Sequence, residues 1–271
     1  MKSRLLLGAL AVVLAAGCNS GSAARQTVNL AERIRLAAET GNEAGTSKMH
    51  MRMEMPQGGM TAEGAFDYKG QRGQMTMAFT GELAAAGNME MIMDGRVIYM
   101  KIPALAAQSG GKPWFKLDLD ELLKSGGMAG LDQLQNSDPS SSLAFLKGVA
   151  EDVREEGKEQ VRGVDTTRYA ITVDLNKAAA TAPAEAKKSI EGVVKQLGTN
   201  TIPMTVWVDD EDRVRRLAYS MDMSKMEAGA TGTAKLTMEL YDYGTKVSVT
   251  PPPAAQVTDA SGMLGGGGAG S

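Results

Sequence analysis

Apolar and polar residues alternate with period two along much of this chain. The pattern is clearest at Met49, Met51, Met53 and Met55, between which fall His50, Arg52 and Glu54. Residues two apart on a strand share a face, so the run predicts a strand with one apolar and one polar side. The same pattern recurs at Met60, Ala62, Gly64 and Phe66, at Met75, Met77 and Phe79, and at Met89, Met91 and Met93. Turn-forming stretches at 67–74 and 81–88 separate these runs, and Asp94-Gly95 is a tight-hairpin signal. A meander of antiparallel strands is predicted, extended by 97–102 and by 114–117.

Helical spacing appears at the start of the domain, where Leu30, Ile34, Ala37 and Ala38 recur ahead of the stop signal Thr40-Gly41-Asn42. Leu119, Leu122 and Leu123 suggest a short helix, and Asp138-Pro139-Ser140 starts another with Pro just inside its beginning. Residues 175–197 are Ala-, Lys- and Glu-rich and read as mostly helical. Strand pattern resumes at 153–161 and 164–173, and a closing meander follows over 202–208, 214–223 and 234–245. The expected fold is α+β: one domain over 29–249, a strongly curved antiparallel sheet of about ten strands with helices on its concave face. Residues 250–271, rich in Pro, Ala and Gly, are expected to form a disordered tail.

The N-terminus carries Lys2 and Arg4, an apolar run from Leu5 to Ala16, and then Gly17-Cys18. The run is too short to span a bilayer as a permanent helix and reads as a signal peptide, residues 1–17. Leu14-Ala15-Ala16-Gly17-Cys18 resembles the bacterial lipobox, which implies diacylation of the Cys18 thiol and cleavage just before it. Residues 18–28 are then a flexible tether, and the body hangs from the extracytoplasmic face of the cell membrane by one lipid anchor.

The residue inventory excludes several chemistries. Cys18 is the only cysteine and His50 the only histidine, so no Cys/His metal site, Cys–His dyad or Ser-His-Asp triad can be assembled. No catalytic activity, metal or cofactor is expected. Removing residues 1–17 takes away two cations and no acid, moving the formal charge from −3 to −5, which disfavours nucleic acid as a partner. The acids Asp209-Asp210-Glu211-Asp212 lack the alternating ligand spacing of a calcium loop and read as a solvated hairpin. Glu151, Asp152, Glu155 and Glu156, with Arg154 and Lys158, read as an exposed charged strand or helix end. His50 is expected to face water, and Trp114 and Trp207 either to plug the sheet or to face the membrane interface.

The chain holds 19 methionines against four phenylalanines. Three readings stay open: ordinary core, a plastic lining for varied acyl chains, or Cu(I) ligation by the clustered thioethers of Met49 to Met55.

Residues 30–250 resemble the mycobacterial lipoprotein family of the LppX and LprG type, within the LolA/LolB-like carriers. The likeness is carried by the opening helix, by Asp94-Gly95-Arg96-Val97-Ile98-Tyr99 with Lys112-Pro113-Trp114-Phe115-Lys116, by 163–169 and by Ile202-Pro203-Met204-Thr205-Val206-Trp207-Val208-Asp209. The resemblance implies a half-open β-barrel whose helices enclose a cavity for acyl chains, and hence lipid binding for transfer or sensing. The Gly- and Ala-rich composition agrees with an actinobacterial source. The cavity wall is expected from Met53, Phe66, Met77, Met91, Tyr169, Val206 and Met221, which share inward parity in their own runs. If helices and sheet pack fully, the chain is instead a module that presents its outer face to an envelope protein partner.

Overall fold

A computed structural model describes residues 30–106, 109–124, 146, 152–181, 187, 190–192, 194–195, 198–225 and 231–261. The signal peptide, Cys18, the tether, the Pro139 helix apart from Leu146, and residues 262–271 lie outside the described residues.

The chain opens with helix α1 (Leu30–Glu43) and runs into six strands: β1 (Thr46–Met55), β2 (Gly58–Asp67), β3 (Arg72–Gly81), β4 (Met89–Asp94), β5 (Val97–Lys101) and β6 (Trp114–Asp118). A short helix α2 (Leu119–Lys124) follows. The second half contributes β7 (Arg154–Val161), β8 (Val164–Asp174), helix α3 (Leu175–Thr181), β9 (Thr201–Asp209), β10 (Val214–Asp222) and β11 (Thr233–Tyr241), and the chain ends in β12 (Val257–Asp259). The twelve strands form one open sheet in the order β12-β6-β5-β4-β3-β2-β1-β11-β10-β9-β8-β7. Two meanders, β1 to β6 and β7 to β11, are joined where β1 pairs β11 antiparallel. The class is the expected α+β, with twelve strands in place of about ten.

The tail accounts for part of that difference. Residues 250–261 are ordered: β12 pairs in parallel with β6, Val257 opposite Trp114 and Asp259 opposite Lys116. Asp259 Oδ2 accepts from Lys116 Nζ at 3.1 Å, and the Ser261 hydroxyl accepts from the backbone N–H of Asp118 at 2.9 Å. Composition suggested disorder, but the edge of β6 offers unpaired backbone groups that this segment satisfies. The opposite edge, β7, is exposed along its length except at Val161 and carries Glu155, Glu156, Lys158 and Glu159, charges that discourage edge-to-edge association.

Turn chemistry fixes the register. Gly95 (φ 63°) turns the chain between Asp94 and Val97, and Arg162 and Gly163, both at positive φ, turn it between Val161 and Val164. A slip of one residue would move every methionine to the polar side.

Directly opposed residues show the two faces. Tyr169, Val206, Leu217, Met238, Met51, Ala62, Met77 and Met89 form one row across eight strands of the apolar face. On the polar face a row runs Arg168, Trp207, Arg216, Glu239, His50, Glu63 and onward to Lys101 and Trp114. Both tryptophans therefore sit on the polar face of the sheet, yet each is only 7% exposed. Arg216 lies over the ring of Trp207 at 5.1 Å and Lys101 over that of Trp114 at 5.8 Å, so neither indole forms an open interfacial patch. Trp207 Nε1 donates to Glu159, and Arg216 bridges Glu159 and Glu239. His50 lies on this polar side, 3.0 Å from Glu63.

Candidate functional site

All seven predicted cavity residues lie on the apolar face, on seven different strands, and they differ in burial. Phe66, Met91, Tyr169 and Val206 are buried, while Met53, Met77 and Met221 are half-buried. Phe66 packs flat on its neighbours: a Cβ built on Gly73 would stand 2.5 Å from its ring, and one on Gly64 3.1 Å away. Glycine at those positions makes room for the ring, which covers the sheet there.

Tyr169 is likewise committed. Its hydroxyl accepts from Arg33 Nη1 at 2.9 Å, and the Arg33 guanidinium also donates through Nε to Asp212 at 2.9 Å. Burial pushes the Tyr169 phenol above its ordinary value. Burial alone would lower Arg33, but the hydrogen bond to Asp212 together with the nearby Tyr169, Asp212 and Glu155 charges outweighs it and holds the guanidinium above its usual value. One face of α1 buries Ala31, Ile34, Ala37 and Ala38, and this ion pair locks the helix onto the β9–β10 hairpin.

The hairpin is solvated as expected at Asp210 and Glu211, but Asp209 departs from that expectation. Asp209 is 2% exposed and accepts from Arg215 Nε at 2.6 Å, from Arg213 Nε at 3.1 Å and from the backbone N–H of Arg213 and Glu211. A bulge between Val214 and Arg216 releases Arg215 from the strand alternation. The Tyr243 ring sits against both guanidiniums at 5.4 and 5.2 Å. Burial would raise the Asp209 carboxyl, but the Arg213 backbone and the Arg215 side chain hold it below its ordinary value. Asp209, Glu211 and Asp212 pair with arginines, and no cluster of His, Cys, Asp or Glu among the described residues could hold a metal ion.

The apolar face divides into two halves of different chemistry. Over β8 to β11 it is lined mainly by branched side chains, and Val173, Val206, Val208, Leu217 and Leu240 are at most 2% exposed. Here α1 packs on β10 and α3 on β8. Over β1 to β5 it is lined mainly by methionines. Met51, Met53, Met55, Met60, Met75, Met77, Met89 and Met100 remain half-buried, while Met49, Met91 and Met93 are buried. The Met49-x-Met51-x-Met53-x-Met55 run belongs to this half, with its thioethers on the packed side of the sheet.

A cavity of about 430 Å³ is lined by residues of the strands β7 to β11 and by Asp152. Its walls are two adjacent polar-face rows, one with Ala170, Thr205, Ala218 and Thr237, the other with Thr172, Pro203, Ser220 and Lys235. Ile171, Met204, Tyr219 and Leu236 lie between these rows. On the apolar side their large side chains would fill its centre, so the groove opens on the polar face. None of the seven predicted residues lines it.

No family model matches the chain. Over 247 residues it is 32% identical to the uncharacterized 31.2 kDa protein of the rplA–rplJ intergenic region of Streptomyces griseus, covering 86% of this chain and 77% of that one. The chain belongs to the family of that protein. It is 28% identical over 249 residues to a Streptomyces coelicolor protein named "Putative lipoprotein", covering 86% of this chain and 76% of that one. Among solved structures it is similar to the crystal structure of the Mycobacterium tuberculosis lipoprotein LppX, with a TM-score of 0.48 and 16% identity over 82% of this chain and 98% of that one.

Proposed function

We propose that the chain is an envelope lipoprotein, anchored by acylated Cys18 on the extracytoplasmic face of the cell membrane, that binds a lipid or other apolar molecule without catalysis. The observation that carries the reading is the divided apolar face. One half is closed by branched side chains under α1, and the other leaves most of its flexible thioethers only partly buried. Methionine has three rotatable bonds and a polarizable sulfur, so a surface built from it adapts to chains of differing shape. The lipobox and the name of the Streptomyces coelicolor relative support the anchor.

The ligand contacts are assigned to the methionine half, with Met53, Met77 and Met91 kept from the sequence expectation. Phe66, Tyr169 and Val206 are placed in the supporting core. Titration of the full mature chain with a fluorescent fatty-acyl probe tests the reading. Saturable binding that falls when Met77 is replaced by Trp is the expected result, and no uptake by the wild type overturns it in favour of an envelope interaction module. Metabolic labelling with a fatty-acid analogue tests the anchor separately, since label must be lost in Cys18→Ala.

A further inference from the structure

The methionines of β1 to β5 are aligned across strands as well as along them. Met75 stands opposite Met91, and Met91 opposite Met100, so three thioethers share one row over β3, β4 and β5. Met53 stands opposite Met60 and Met77 opposite Met89. Directly opposed side chains on one face have Cβ atoms about 4.5–5.5 Å apart, so these thioether side chains are immediate neighbours. Had the requirement been a packed core alone, the branched residues of β8 to β11 would meet it, as they do on the same face of the same sheet. What thioethers add is a lone pair that reacts with oxidants, in side chains that solvent still reaches.

We propose that the half-buried methionines of β1 to β5 are an oxidative modification site, and that their conversion to sulfoxide by a peroxide switches the apolar half-face to a polar one and releases its ligand. In each step the sulfur lone pair attacks a peroxide oxygen, the S–O bond forms as the O–O bond breaks, and two electrons pass from sulfur to the peroxide, which leaves as water. The sulfoxide oxygen is a strong hydrogen-bond acceptor, and an apolar chain laid against it offers no donor. Reduction by methionine sulfoxide reductases, one for each epimer, restores the thioether. The release step rests on the ligand reading given above, whereas the order of oxidation does not.

Native full mature chain is treated with graded hydrogen peroxide, and sulfoxide at each methionine is measured by peptide mass spectrometry. Met53, Met60, Met75, Met77, Met89 and Met100 are expected to react roughly tenfold faster than buried Met49, Met204 and Met238, with far-ultraviolet circular dichroism unchanged. Affinity for the fluorescent acyl probe should fall at least tenfold and return after treatment with both reductases. In a variant with Met75, Met77, Met89 and Met100 all changed to Leu, the fold-loss of affinity on peroxide treatment, measured against that variant's own starting affinity, should be smaller than in wild type. If it does not fold, the double variant M75L/M100L should show a smaller loss than wild type. Equal rates at buried and half-buried methionines, loss of the sheet along with oxidation, or unchanged affinity of the oxidised protein overturns the proposal. An unoxidised protein that takes up no probe overturns the ligand reading and the switch with it, and the order of sulfoxide formation then decides the modification alone.

Discussion

The guanidinium of Arg33 donates to the phenol oxygen of Tyr169 across 2.9 Å, joining the first described helix to a strand position 136 residues further along the chain. The same side chain holds Asp212, so a single arginine ties α1 to β8 and to the β9–β10 hairpin. The contact fixes the Tyr169 hydroxyl at the centre of the apolar face. Replacing Arg33 with Ala leaves the buried Tyr169 hydroxyl only its contact with Thr167, which should cost about 1–3 kcal/mol. Tyr169→Phe removes the hydroxyl along with its need and should cost less. Chemical denaturation of both variants checks the order, and a larger loss in Tyr169→Phe would contradict it.

Asp209 gives the hairpin its acid sensitivity. Its carboxyl and that of Glu239, which accepts from Arg162 and Arg216, are both held below their ordinary values in the folded state. A depressed carboxylate contributes stability that is fully present above the unfolded value, about 3.9 for Asp and 4.3 for Glu, and is lost as pH falls through the folded one. Stability should therefore hold from neutral pH down to about pH 5 and decline below pH 4. Asp209→Ala strands two arginines, Arg215 among the buried residues, and should cost about 3–5 kcal/mol at neutral pH. Urea unfolding at pH 7 and pH 3.5 checks both statements, because the variant should also lose less than wild type on acidification.

Much of this arrangement was legible in the sequence, because period-two alternation is imposed by the pleat itself. Met49 to Met55, Met75 to Phe79 and Tyr169 to Val173 all lie on the face that parity assigns. Parity could not separate a wall from a scaffold. Phe66 is occupied by Gly64 and Gly73 from its own and a neighbouring strand, and Tyr169 by an arginine far away in sequence. Such pairings depend on strand order, which alternation leaves open. The Asp209 cluster read as solvated for a related reason: the bulge that brings Arg215 to it has no signature in residue type. The tail misled through composition, since Pro251-Pro252-Pro253 precedes three residues that happen to meet an unpaired edge.

Closing that edge is a role for the C-terminal segment that truncation exposes. Removing residues 251–271 deletes β12, the Lys116–Asp259 pair, the Ser261 acceptor for Asp118 and buried Ala260. The Asp259 carboxyl is held below its ordinary value chiefly by the Ser261 hydroxyl, so that contact is also a source of stability above about pH 4. The truncated chain should melt several degrees lower and self-associate through β6, which size-exclusion chromatography with light scattering detects. A monomer of unchanged melting temperature would show that β12 contributes nothing to the fold.

The two halves of the apolar face should answer the same substitution in opposite ways. Val206 is fully buried between Tyr169 and Leu217 in its row, among branched side chains that have little freedom to move. Val206→Phe must displace them, and overpacking of this kind costs about 1–3 kcal/mol. Met77 is half-buried between the small Ala62 and the flexible Met89, neighbours that can accommodate a ring. Met77→Phe should therefore leave unfolding stability within about 0.5 kcal/mol of wild type, as for substitutions outside a close-packed core. If the methionine half is the ligand surface, M77F should alter acyl-probe affinity at full stability, while V206F should lose stability with probe affinity unchanged in the fraction that stays folded. Denaturation curves paired with probe titrations on both variants separate the two. Equal destabilisation would mean that the thioethers are packed as tightly as the branched half, and the surface would then have no room for a ligand.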